Sequence, residues 1–169
     1  MTPALLTRAV CALFLFSAPL AAEGIMVDDA YIRSSTAKST SGAAFMVVMN
    51  HSGADDRLIG ASSDVAEKVE LHSHTSDDNG VMRMGEIEGG VAIAADDMHA
   101  FKRGGDHLMF MGLKGPLEQG AMVPVTLEFE KAGAVEIEVM VDQDRKPNHG
   151  KMKHDHGDMD HTGHEMPKD

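Results

Sequence analysis

An all-β domain, built as a β-sandwich or a Greek-key barrel, is the expectation this sequence raises, and three features carry it. Apolar and polar residues alternate in the manner of strands from Ile25 to about Val141, turn-rich segments break the alternation at short intervals, and no stretch sustains a long helical period. Seven or eight short antiparallel strands at this spacing suit a two-layer β architecture. A short helical turn around Ser63 to Glu67 is the only helix expected.

The candidate strands, in order, are IMVDDAYIR from Ile25, AAFMVVMN from Ala43, RLIGAS from Arg57, KVELHSH from Lys68, VMRMGEIE from Val81, DHLMFMGL from Asp106, VPVTLEFE from Val123 and AVEIEVMV from Ala134. Segments such as NHSGADD, TSDDNG, EGG, KRGGD and KAGA separate them, rich in the Gly, Asn and Asp that turns require. The last two strands are the clearest. Val125, Leu127 and Phe129 alternate with Thr126, Glu128 and Glu130, and Val135, Ile137, Val139 and Val141 alternate with Glu136, Glu138 and Met140, so each strand has one wet face.

The chain has 169 residues, enough for one domain with appendages. Residues 1–22 read as an export signal: Arg8, then the apolar run AVCALFLFSAPLAA, then small residues before Glu23. The run is shorter than the roughly 20 apolar residues of a spanning helix. No later segment qualifies either, so no membrane insertion is expected after cleavage. The domain proper is expected over 23–143. From Asp144 to Asp169 apolar periodicity ends, and this tail is expected to be disordered without a ligand.

Charge and cysteine usage narrow the function. The net charge is −12, and −13 once Arg8 is lost with the signal, a sign that repels phosphate backbones and anionic lipid, so nucleic acid is not an expected partner. The single cysteine, Cys11, lies mid-run in the signal rather than at a lipid-anchoring cleavage site. The mature chain then has no thiol for a disulfide, a nucleophile, a thiolate zinc site or a blue-copper centre. Methionine is over-represented, with 14 against one Tyr and no Trp.

The positions of those methionines matter more than their number. In GGDHLMFMGL, strand alternation puts His107, Met109 and Met111 on one face and Leu108 and Phe110 on the other. In KVELHSH, Glu70, His72 and His74 share the face that Val69 and Leu71 leave free, and VMRMGEIE offers Met82 and Met84 on one face. A hairpin register with His74 opposite Met82 would place His72 opposite Met84, with paired Cβ atoms roughly 5 Å apart. With His107 and Met109 this gives a His2Met2 set drawn from three strands. Each methionine alone is an ordinary gap filler. Jointly, two thioethers and two imidazoles, all neutral, select Cu(I) over Zn, Mg or Ca.

HSHTSDDNGVMRM, followed by GGDHLMFMGLKGPLEQG and VPVTLEFEKAG, resembles the periplasmic copper chaperone family PCuAC over about Ala30 to Val141. The family pattern is His, ten residues, Met, twenty-one residues, then His-x-Met; here each interval is one residue longer, absorbed in turns. The resemblance implies a cupredoxin-like Greek-key β-sandwich with Cu(I) held by His72, Met84, His107 and Met109, and His74, Met82 and Met111 as alternates. It also implies a periplasmic, non-enzymatic carrier delivering copper to the CuA-bearing subunit of cytochrome c oxidase, with a Sco-type thioredoxin-like protein as thiol collaborator.

The tail is a separate signal. His149, Met152, His154, His156, Met159, His161, His164 and Met166 are interleaved with acidic residues, a composition suited to capturing Cu(II) or several Cu(I) ions, and also to nonspecific zinc or nickel. A copper buffer for tolerance is the competing binding function. A copper enzyme is disfavoured: the mature chain lacks a Cys ligand, and Glu23 stands where an N-terminal histidine brace would need His. His51 and His99 sit in loop-like surroundings and are expected to be solvated.

Overall fold

A computed structural model describes residues 24–76 and 80–146; the expected export signal and all eight His and Met residues assigned to the tail lie outside them. Ten strands run in chain order: β1 (Ile25–Ser34), β2 (Ser41–Asn50), β3 (Asp56–Ser62), β4 (Lys68–Ser76), β5 (Met82–Glu86), β6 (Val91–Ile93), β7 (Met98–Phe101), β8 (His107–Met111), β9 (Met122–Phe129) and β10 (Gly133–Val141). The fold is all-β, and the eight strands read from the sequence are all present. Two more, β6 and β7, are only three and four residues long, too short for alternation to register. Ser63 to Glu67 is a turn, closed by Ala66 N–H donating to Ser63 O, and no helix occurs among the described residues.

The strands form one open path, β5-β4-β8-β2-β1-β10-β9-β3-β6, with β7 pairing β2 beyond the end of β8. The path folds over so that β3 also packs on β4. Its two halves then bury their inner faces together: Leu71, Leu108, Phe110, Met46, Val48 and Ile32 from one half meet Val123, Val125, Leu127, Phe129, Leu58 and Ile93 from the other in one core. Each such side chain contributes about 1.5–3 kcal/mol by leaving water. One pair is not antiparallel as expected: β1 and β10, the first and last strands, run parallel where the two halves join, Tyr31 beside Met140.

Two buried polar residues pin the ends of the core. Asp56 accepts three backbone N–H bonds: Oδ1 from Arg57 at 2.7 Å and Lys131 at 2.9 Å, and Oδ2 from Ala132 at 2.9 Å, tying β3 to the β9–β10 turn. Asn50, fully buried, sends Nδ2 to Ala54 O and Ile93 O, and its Oδ1 accepts from Ser52 N–H and Ser52 Oγ–H. Its own N–H donates to Asp97 O, which holds the start of β7 beside β2.

Candidate metal centre

Strand pairing assembles the candidate ligands. β8 sets His107 opposite His72 and Met109 opposite Glu70; on the other edge of β4, β5 sets Met84 opposite His74 and Glu86 opposite His72. Directly paired residues share a face, so three imidazoles and two thioethers stand on the side of the sheet away from Leu71, Leu108 and Phe110. The register differs by two residues from the one read off the sequence. Pairing continues to Ser76 opposite Met82, so the ladder runs into the TSDDNG segment read as the loop, and Met84 rather than Met82 faces His74. A shift of two leaves every side chain on its original face.

The imidazoles are close and their protons are positioned. The His107 ring centroid is 6.0 Å from that of His72 and 5.0 Å from that of His74, on which it stacks. His107 Nδ1 lies 2.9 Å from Gly105 O and His74 Nδ1 lies 3.4 Å from the same oxygen. A carbonyl only accepts, so both rings donate from Nδ1 and keep a lone pair on Nε2. Gly104, at φ 78°, makes the left-handed turn that delivers this carbonyl, a conformation glycine adopts without strain.

His72 is held the other way round. Its Nε2 lies 2.7 Å from Glu70 Oε2, so Nε2–H donates to the carboxylate and the lone pair is on Nδ1. That Nδ1 is buried and has no hydrogen-bond partner among the described residues, the state expected of a nitrogen whose partner is a metal ion. Lys68 first, then His72, keeps the Glu70 carboxyl below its ordinary pKa and therefore ionised. His107, 2% exposed, is pushed below the ordinary histidine value by burial, with the nearby His74 and His72 adding to the effect. A neutral imidazole is the form that binds metal.

A cavity of about 370 Å³ opens beside this cluster, lined among others by Phe45, His74, Met84, Arg103, His107 and Met109. Phe45 supplies an apolar wall, its ring 6.1 Å from His107, and the Arg103 guanidinium lies 5.9 Å from the Phe45 ring centroid. Of the four residues favoured from sequence, Met84, His107 and Met109 line the cavity, with His74 beside them; His72 stands next to His107 outside the lining. Met82, opposite Ser76, and Met111, opposite Lys68 and Ser41, lie further along the same face and do not line it.

Sequence reasoning missed three contributors. Glu70 is on the expected face, but its bond to His72 depends on side-chain conformation that spacing does not fix. Gly105 acts through its main chain, and Phe45 comes from a distant strand. His99 corrects an expectation: it lies on β7, not in a loop, with Nε2 2.9 Å from Asp106 Oδ2 and its ring edge-on to Phe101. His51 is exposed and outside any strand.

Comparison with known proteins agrees with this architecture. Residues 25–141 match the family described as "Putative lipoprotein LpqE-like". A relative in Leifsonia xyli subsp. xyli (strain CTCB07), putative lipoprotein Lxx21020, is 35% identical over 120 residues, which are 71% of this chain and 70% of the relative. Among solved structures, Cu(I)-DR1885 from Deinococcus radiodurans superposes with a TM-score of 0.58 at 26% identity, covering 75% of this chain and 83% of that one. The copper-bound PCuAC domain from PmoF2 gives 0.59 at 24% identity, covering 71% and 93%, and there the likeness is one of fold. The chain therefore belongs to the LpqE-like family and shares its fold with PCuAC domains.

Proposed function

We propose that this protein is an exported, non-enzymatic Cu(I) carrier of the periplasm that holds one ion among His107, Met109, Met84 and the histidines of β4. The observation that carries the reading is the pairing of tautomer-fixed, lone-pair-bearing imidazoles with two thioethers on one cavity. Every donor is neutral, so a monovalent soft ion suits the set better than a divalent hard one. The copper-bound state of the D. radiodurans and PmoF2 structures, and the lipoprotein description of the family and of the Leifsonia relative, support the reading.

The geometry also suits release. His107 is at the buried floor, whereas Met84 is 48% exposed on β5, an edge strand with no buried residue. An incoming thiolate can take the place of the Met84 thioether before the imidazoles let go, passing the ion without freeing it. The acceptor is accordingly a thiol-bearing copper site, with the CuA subunit of cytochrome c oxidase as recipient and a Sco-type protein as intermediary. Tail residues from His149 to Met166 would gather Cu(II) or further Cu(I) ahead of this centre.

An anaerobic Cu(I) titration against a chromogenic chelator tests the core, using the full chain and a form ending at Lys146. One tight equivalent retained by the shortened form supports the carrier. Tight binding that vanishes with the tail would instead favour a buffer or scavenger. In the same assay Glu70→Gln is expected to weaken Cu(I) binding by about 10- to 100-fold without unfolding, because the carboxylate orients His72 without being a ligand.

A further inference from the structure

The methionine excess is not used up by the centre described above. β2 carries two kinds of methionine: Met46, 2% exposed, fills the core, whereas Met49 faces the other side. Met49 is paired directly with Met26 on β1 and directly with Met98 on β7. Three methionines thus form one cross-strand row, and the outer two are 56% and 62% exposed. Gap filling does not explain thioethers placed at paired positions on a wet face, where polar side chains are the norm.

We infer that Met26, Met49 and Met98 form a second soft-metal site, an all-thioether site for a monovalent thiophilic cation such as Cu(I) or Ag(I). Neighbouring strands are about 4.8 Å apart, so the flanking methionines start about 10 Å from each other with Met49 between them. Unbranched side chains with three rotatable bonds can close that gap by leaning inward. The frame is fixed by Asn50, whose side chain clasps Ala54 and Ile93 while its N–H holds Asp97 O, next to Met98. The charged residues nearest in sequence are acidic, Asp28 beside Met26 and Asp96 and Asp97 beside Met98, which favours a cation. Thioethers without imidazole or carboxylate ligands select against Cu(II) and Zn.

This site is distinct from the first. Along β2 it lies six residues from Ala43, which pairs with Met109, about 20 Å at strand rise, and no single ion spans that distance. It shares the same outer face of the sheet, so both are reachable from one side of the molecule.

Methyl NMR of the full chain with 13C-methyl methionine, titrated with Ag(I), decides the matter. The Met26, Met49 and Met98 signals are expected to move together along one saturation curve. Met49→Leu is expected to weaken the response of Met26 and Met98 by at least about tenfold, since even indirect partners of a metal ligand carry about 10- to 100-fold in affinity. Met98→Leu, at the most exposed position, gives the same test of Met26 with no core involvement. Signals that stay still when Met84 and Met109 have saturated, or that respond independently of one another, would overturn the site and leave the row as an apolar patch. Movement of the triad with Met84 and Met109 unmoved would instead count against the carrier reading while sustaining this one.

Discussion

His107→Ala is expected to lower Cu(I) affinity by about a thousandfold, some 4 kcal/mol, while the chain keeps its β circular dichroism and cooperative unfolding. No other candidate ligand combines such burial with a fixed tautomer: Gly105 O holds Nδ1–H, so Nε2 alone has a lone pair to offer an ion. The backbone of His107 still pairs with β4 after the substitution, which is why the fold should survive. Met84→Leu should also weaken binding, whereas Met82→Leu, two residues away opposite Ser76, should not. Equal effects of the two methionine substitutions would show that the hairpin register does not choose the ligand.

The same residue is expected to set the acid limit of binding. Burial first, then the neighbouring histidines, holds its folded-state pKa below the ordinary 6.5, so the unliganded ring stays neutral to a lower pH than a free histidine does. Copper affinity should therefore persist somewhat below pH 6.5 and fall as pH drops through the folded-state value, because protons and metal compete for one lone pair. The chelator competition repeated across pH reads this directly; affinity that already fell between pH 8 and 7 would point to another group.

Much of this centre was legible before any coordinates because strand alternation is strict. His107 with Met109, and His72 with His74, could be placed on common faces from their spacing alone, and the eight longer strands followed from the same period. Register could not, since shifts of two residues preserve every face; Met84 came to face His74 only through how far the β4–β5 hairpin zips. The Met26, Met49 and Met98 row was hidden for a related reason. Those residues are far apart in sequence, and Met98 belongs to a strand of four residues that leaves almost no periodic signal.

Stability should depend most on a group outside either site. Asp56→Ala is expected to cost on the order of 3 kcal/mol, a fall in Tm of roughly 10 °C, because it strands three backbone N–H groups that a buried carboxylate had satisfied. Asp56→Asn should cost less. Its oxygen can still serve Arg57 and Lys131, but its NH2 would meet the Ala132 N–H, donor against donor. Burial tends to raise the Asp56 pKa, yet the bonds from Arg57, Lys131 and Ala132 and the charge of Lys131 outweigh it, so the net shift is downward from 3.8. The contribution of the ionised form is thus complete above that value and disappears as pH falls through the lower, folded-state pKa. Thermal unfolding at pH 7 and at pH 3 should show the gap between the parent chain and Asp56→Ala narrowing with acid. A gap that stayed constant would mean that the carboxyl acts by shape and not by charge, and that the anchoring of β3 to the β9–β10 turn rests on packing.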